Sequence, residues 1–251
     1  MKKLFKFLKN RNSKLFQRVK FIYNKLPISV QRLISAYRYK YKYDKNHILD
    51  SSNVFTNIYN LNLWESQESK SGLGSTIEAT TIIRRQLPLI IEKYDIHSML
   101  DVPCGDYNWM KMVEKTCDYI GGDIVVDMIE NNQKLYASEK VQFKLIDITK
   151  DTLPTVDLIF CKDCLQHLND ENVLKALHNF KNSGSKYLLV TSYPKTCINY
   201  DIEDGDYRAL NLRKSPFYLP KPILKVKEAH HHGIKGVEID KTMYMYKLSD
   251  L

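Results

Sequence analysis

From residue 97 to residue 192, short apolar runs alternate with amphipathic stretches, and this alternation narrows the possible architectures more than any other feature of the chain. Strands are predicted at 97–102, 118–123 ("DYIGGD"), 141–147 ("VQFKLID"), 155–161 ("TVDLIFC") and 185–192 ("SKYLLVTS"), and helices at 107–116, 126–138 and 170–182. Upstream, Ser75 and Glu78 have capping-box spacing. Ile77, Ile82, Ile83, Leu87, Ile90, Ile91 and Tyr94 then give one helical face to about residue 95, with Pro88 as a kink. Strands separated by helices cannot pair as tight hairpins, so the crossovers build a parallel sheet with helices on both faces. The expected fold is therefore α/β, a Rossmann-like, doubly wound and mostly parallel sheet, with "DKTMYMYKL" at its C-terminal end as a closing edge strand.

Charge divides the chain differently. Residues 1–50 carry 14 Lys and Arg against Asp44 and Asp50, which leaves 24 basic and 27 acidic residues for the rest, so the net +9 comes from the N-terminal fifth. We expect a basic arm at 1–50 and a folded body at 51–251. A body of net negative charge argues against nucleic acid as the partner. Within the arm Leu4, Phe5, Leu8, Leu15, Phe16, Val19 and Ile22 recur at helical spacing up to Pro27. Such a helix, residues 1–26, suits either packing on protein or lying on the inner face of an anionic membrane. Lys6, Lys9, Arg11 and Lys14 interrupt any signal-peptide core, and the five cysteines are an odd number. Both points favour a cytoplasmic setting. Cys161 and Cys164 have CxxC spacing with no second pair to complete a site, and "HHH" at 230–232 lies in a polar stretch, so no metal is expected.

In an open α/β sheet, ligands bind beyond the carboxyl ends of the strands. There the sequence places acids: Asp101 and Asp106 after the first strand, Asp123 after the second and Asp147 after the third. The first turn, "LDVPCGDYNWM", has only Gly105, so it is neither a pyrophosphate cradle nor a Walker loop. A nucleoside without phosphates fits better. Asp123 stands where a carboxylate accepts ribose hydroxyls, and Asp147 where one accepts an exocyclic amine, with Ile124 and Ile148 on either side of the base. Asp101 would face a positively charged end.

"LDVPCGDYNWM", "YIGGDIV", "DITKDTLPTVDLIFCKDCLQHL" and "WESQESKSGLGS" together resemble class I S-adenosylmethionine-dependent methyltransferases. The likeness is to a bacterial group with a DxPCGDxxW signature found among surface-polysaccharide (capsule) functions. It covers roughly residues 54–248. Asp101 and Gly105 match the family's acid-x-Gly-x-Gly-x-Gly motif, while Pro103 and Tyr107 replace its outer glycines. The resemblance implies S-adenosyl-L-methionine as cofactor and S-adenosyl-L-homocysteine as product. Cofactor contacts are then expected from Pro103, Cys104, Gly105, Asp106, Trp109, Lys162 and Asp163 besides the acids already named. It also implies that residues 51–75 close over the site, with Trp64, Ser71, Gly72, Gly74 and Ser75 at the methionine end.

Methyl transfer to a hydroxyl needs alignment and removal of a proton. His167 is the first candidate for general base, and Asp163, four residues earlier, would orient it, touch the cofactor or serve as base itself. Residues 193–235 are expected to form an acceptor-binding insertion in which Tyr193, Arg208 and Asn211, with Tyr207 and Phe217, grip a sugar or a phosphate-like group, and Tyr107 of the first turn is expected to contact the acceptor as well. The acceptor expected is a sugar hydroxyl or phosphate-like substituent of a surface glycan, or of its nucleotide-linked precursor. RNA or protein methylation, or a module that binds the cofactor without catalysis, are the alternatives.

Overall fold

The computed structural model describes residues 22, 25–27, 30, 54–228 and 240–251. Apart from those few positions the basic arm lies outside the described residues. So do residues 51–53 and the histidines at 230–232.

Within residues 54–228 and 240–251, four helices, α1 (Val54–Asn60), α2 (Thr81–Lys93), α3 (Val126–Tyr136) and α4 (Asp170–Asn182), accompany seven strands. The strands are β1 (Ser98–Asp101), β2 (Asp118–Asp123), β3 (Val141–Leu145), β4 (Leu158–Cys161), β5 (Tyr187–Ser192), β6 (Leu224–Lys227) and β7 (Thr242–Lys247). They form one sheet in the order β3-β2-β1-β4-β5-β7-β6. The first five are parallel, and β7 runs antiparallel to both β5 and β6. The order reverses between β1 and β4, and that crevice is where a doubly wound sheet receives its ligand.

Alternate residues of the strands supply two cores. Met99, Leu158, Phe160, Leu189 and Met245 face Ile83, Leu87, Ile90 and Ile91 of α2 and Ile129 of α3, whereas Leu100, Ile159, Leu188, Val190 and Tyr246 face Val173, Ala176, Leu177 and Phe180 of α4. Each such side chain fully buried contributes about 1.5–3 kcal/mol. Asn169 starts α4 by accepting the Asn172 N–H at 2.8 Å, Asp170 and Glu171 lie in its first turn, and Lys181 lies in its last.

Three local expectations are corrected. Helix α2 begins at Thr81 and not at Ser75, because Glu68 takes the Ile77 N–H at 2.7 Å and the hydroxyls of Thr76 and Thr80 bond back to carbonyls. No capping box forms. The stretch 107–116 is not a helix: Tyr107 has a φ of +56°, and only a single 3₁₀ turn, Met110–Met112, follows. The strand at 242–247 is not an edge, because β6, which the sequence pattern did not disclose, pairs outside it.

Candidate functional site

The turn after β1 is knitted to the end of β2. Asp123 accepts the Gly105 N–H on Oδ2 and the Val125 N–H on Oδ1, both at 3.1 Å, and Asn132 of α3 donates to the Gly105 carbonyl at 2.7 Å. Burial pushes the Asp123 carboxyl up to about 6, against the pull of these backbone donors. An ionised carboxylate offers about four lone-pair sites, so beside its backbone donors Asp123 keeps room to accept a ligand hydroxyl. Cys104 is buried beside it, and Pro103 is half-buried in the same turn.

Asp106 serves a different purpose. Its carboxylate accepts Ser69 Oγ at 2.9 Å, the Lys70 N–H at 2.9 Å and Ser71 Oγ at 3.3 Å, while its own N–H donates to Ser71 Oγ at 2.9 Å. Asn108 Nδ2 adds bonds to Glu68 and to the Ser75 carbonyl. The segment before α2 is thus fastened along the first turn.

A second anchor lies at the end of β4. Lys162 Nζ donates to the Gly74 carbonyl at 3.0 Å and pairs with Asp163 Oδ2 at 2.5 Å, and Lys241 Nζ reaches the same oxygen at 2.7 Å. Glu228 completes the cluster, 3.5 Å from Lys241 and 4.0 Å from Lys162. Position 74 has to be glycine because a Cβ there would lie 2.8 Å from Asp163 Oδ2. Burial alone would raise the Asp163 carboxyl, but the two ammonium groups hold it far below the usual carboxylate range. With Gln166 donating to its other oxygen at 3.0 Å, Asp163 is an ion-pair hub and not a base.

His167 is half-buried on the 3₁₀ turn Leu165–His167, with Nδ1 2.8 Å from the Asp206 carbonyl. A carbonyl only accepts, so Nδ1 carries the proton and Nε2 is left as the basic nitrogen. Burial lowers its pKa below 6.5, outweighing the Asp206 carbonyl and the charge of Asp163, so the ring is neutral at neutral pH. The rings of Trp64 and Tyr207 flank it at centroid distances of 5.4 and 5.7 Å, and Tyr193 stands edge-on to Tyr207 at 6.4 Å.

Other expected site residues are placed elsewhere. Tyr107 turns into the core against Tyr119, Tyr136 and Phe143, and Trp109 is buried between Phe160 and the Lys162 ammonium. Asp101 is 2% exposed and accepts the Tyr119 hydroxyl at 2.6 Å, so it does not present a carboxylate to a ligand's cation. Asp147 caps its own turn through Thr149 and pairs with Lys150, which leaves it poorly placed to take an exocyclic amine. Ile148 belongs to the core while Ile124 is 40% exposed, so the two do not sandwich a base. Arg208 is fully buried on Asp170 and the Leu168 and Tyr200 carbonyls, and Asn211 holds the Pro194 and Thr196 carbonyls. Both shape the segment after β5 from inside and cannot grip an acceptor. Conversely, the sequence pattern does not mark Lys241, Glu228, Asn132 or Tyr119, which bond Asp163, Lys241, the Gly105 carbonyl and Asp101. An acid and a lysine flanking β6 and β7 gave the only hint, and that became meaningful only when the strands paired.

Burial raises the Asp101 carboxyl to about 7, against the Tyr119 hydrogen bond. The folded state thus keeps a proton that the unfolded chain loses near pH 4, and this contribution to stability disappears as pH rises from about 4 through 7. An Asp101→Asn variant is expected to lack that portion of the pH dependence. Thermal melts of both proteins from pH 4.5 to 8 check it, and parallel curves would contradict it.

Residues 99–183 match the family model described as a methyltransferase domain. Among solved structures, the N-methyltransferase NodS from Bradyrhizobium japonicum WM9, in complex with S-adenosyl-L-homocysteine, is similar at 14% identity and a TM-score of 0.57, covering 76% of this chain and 98% of that one. A S-adenosylmethionine-dependent methyltransferase from Clostridium acetobutylicum ATCC 824 is similar at 16% identity and TM-score 0.51, covering 79% and 99%. The fold is that of the S-adenosylmethionine-dependent methyltransferases, and the matched residues 99–183 are similar to a methyltransferase domain. Human N-acetylserotonin methyltransferase in complex with SAM is similar at 15% identity and TM-score 0.51, covering 73% of this chain, which spans 56% of the human protein's chain. No curated protein matches the sequence. Among the described residues no helix is long and apolar enough to cross a membrane, and no group of His, Cys, Asp and Glu is arranged to hold a metal ion.

Proposed function

We propose that this protein is an S-adenosylmethionine-dependent O-methyltransferase in which Asp123 receives the cofactor ribose and His167 removes the proton of an acceptor hydroxyl. The observation that carries this reading is the bond from His167 Nδ1 to the Asp206 carbonyl, which leaves Nε2 as a neutral base beside two aromatic rings. The cofactor supplies an electrophilic methyl group. Residues 64–75 cover the methionine end, Gly105 and Cys104 form the floor, and Ile124 is available to cover the adenine. Trp64, Tyr207 and Tyr193 surround the acceptor. Aromatic faces and a neutral base suit the ring and hydroxyl of a sugar, so we assign a glycan or nucleotide-linked sugar as acceptor and place residues 193–228 on its side of the site. The basic arm would favour anionic precursors or the inner face of a membrane.

Calorimetric titration with S-adenosylhomocysteine tests the cofactor site. Binding in the micromolar range is expected, with at least about tenfold loss in Asp123→Ala, as for a missing charged hydrogen-bond partner. Because the ionised carboxylate is the form that accepts two hydroxyls, affinity should also weaken as pH falls through about 6. Intact folded protein that does not bind would remove the reading.

A further inference from the structure

The residue that closes on His167 comes from the same segment that Asp106 fastens. Ser69, Lys70 and Ser71 are held by Asp106, and Gly74 is held by Lys162. Between these anchors Gly72 lies flat on Trp64, so that a Cβ at position 72 would meet Trp64 Cβ at 3.2 Å. Trp64 in turn lays its indole over the imidazole at 5.4 Å and 40°. A continuous path of contacts therefore runs from the turn after β1, through residues 69–74 and Trp64, to His167. The polar anchor of the imidazole is the Asp206 carbonyl, 2.8 Å from Nδ1.

We propose that Trp64 is a positioning residue for His167: while residues 64–76 are fastened by Asp106, the indole holds the imidazole on the Asp206 carbonyl and keeps water from it, so the base is assembled only when the segment is closed. This rests on the reading of His167 as the base. It gives the fastening a chemical purpose, because a cofactor seated on the turn after β1 would favour the closed segment and so prepare the base before an acceptor is committed. The charged and titratable groups around the ring are few. Asp163 and Cys164 lie on its own turn, the former bound to Lys162 and Lys241, and Tyr207 and Tyr193 come from the segment after β5. Asp204 is turned to Asn169 and Asn172.

The test is an NMR titration of the His167 imidazole in the full chain, with histidines isotopically labelled and the resonance assigned by a His167→Gln variant. Wild type should titrate below 6.5. Trp64→Ala should raise the midpoint by about 0.5 unit or more toward 6.5, the value of an unperturbed imidazole, while Trp64→Phe keeps the wild-type midpoint. Asp106→Asn, which loosens the fastening without touching Trp64 or His167, should raise it in the same direction. That variant carries the test if Trp64→Ala does not fold. A midpoint unmoved by Asp106→Asn overturns the proposal, as does one unmoved by a folded Trp64→Ala. The titration needs neither cofactor nor acceptor. Failure of wild type to bind S-adenosylhomocysteine would therefore strike the methyltransferase reading alone, and an unmoved midpoint with normal binding would strike only the role of Trp64.

Discussion

Alanine in place of His167 is expected to lower kcat for methyl transfer by about 10²–10⁴-fold, the usual contribution of a positioned general base, while affinity for S-adenosylhomocysteine stays within about twofold. The split follows from the geometry. Nε2 is the only nitrogen of the ring left to take a proton, and nothing in the cofactor half of the site, from Gly105 to Asp123, bonds to His167. Asp163 cannot substitute, because protonating it would strip a carboxylate from two ammonium groups. Activity should require the neutral imidazole, so kcat should be flat above neutral pH and fall as pH drops through the His167 pKa, which lies below 6.5. S-adenosylhomocysteine formation against a panel of sugar and nucleotide-sugar acceptors measures both effects. A variant with unchanged kcat would show that the acceptor deprotonates without this residue.

The parallel half of the fold was legible because its signal is local. Each of the five parallel strands and helices α3 and α4 lies within a few residues of its expected place, since β4, buried on both faces, reads as an apolar run, the exposed edge strand β3 as an alternating one, and a helix as a periodic stripe. The failures occurred where tertiary bonds outweighed local preference. Ser75 and Glu78 have capping-box spacing, but Glu68 takes the Ile77 N–H and Thr76 Oγ1 takes the Ala79 N–H, and the helix starts later. Residues 107–116 have helical composition, yet the left-handed Tyr107 and the drive to bury its ring diverted the chain. Strand β6 is only Leu224–Lys227, and so short a run next to Pro222 carries no pattern until β7 lies beside it.

The site was legible in position but not in role. Acids stand at the ends of β1, β2 and β3 as the sequence suggests, and of Asp101, Asp123 and Asp147 it is Asp123 that is bonded to backbone N–H groups of the first turn and of its own strand end. Asp101 is taken by Tyr119 and Asp147 by its own turn. Sequence spacing shows where a carboxylate stands, but not which donor reaches it first. The same reasoning separates His167 from Asp163. Both are candidate bases in the sequence, and the pairing of Asp163 with Lys162 and with Lys241, which comes from the far end of the chain, becomes visible only in the fold.

Arg208 gives the largest expected effect on stability, and its variant distinguishes the two readings of this residue. A guanidinium in an acceptor site could be replaced with little change in melting temperature and a raised KM. The observed guanidinium is fully buried, 2.5 Å from Asp170, 2.6 Å from the Tyr200 carbonyl and 2.7 Å from the Leu168 carbonyl, with Asp201 at 3.6 Å. Arg208→Ala deletes one partner of a largely buried pair and orphans two carbonyls, which costs about 3–5 kcal/mol. At about 2–4 °C per kcal/mol for a chain of this size, the melting temperature should fall by roughly 6–20 °C. Arg208→Lys should recover little, because one ammonium cannot replace two guanidinium nitrogens that between them serve three acceptors. Thermal unfolding of the three proteins checks this, and an unshifted melt would return Arg208 to the list of acceptor contacts. Two residues before Arg208 lies Asp206, whose carbonyl fixes the His167 tautomer. Any activity lost with the arginine should therefore be accompanied by a shift in the His167 titration, as loss of a loop anchor predicts and loss of a substrate contact does not.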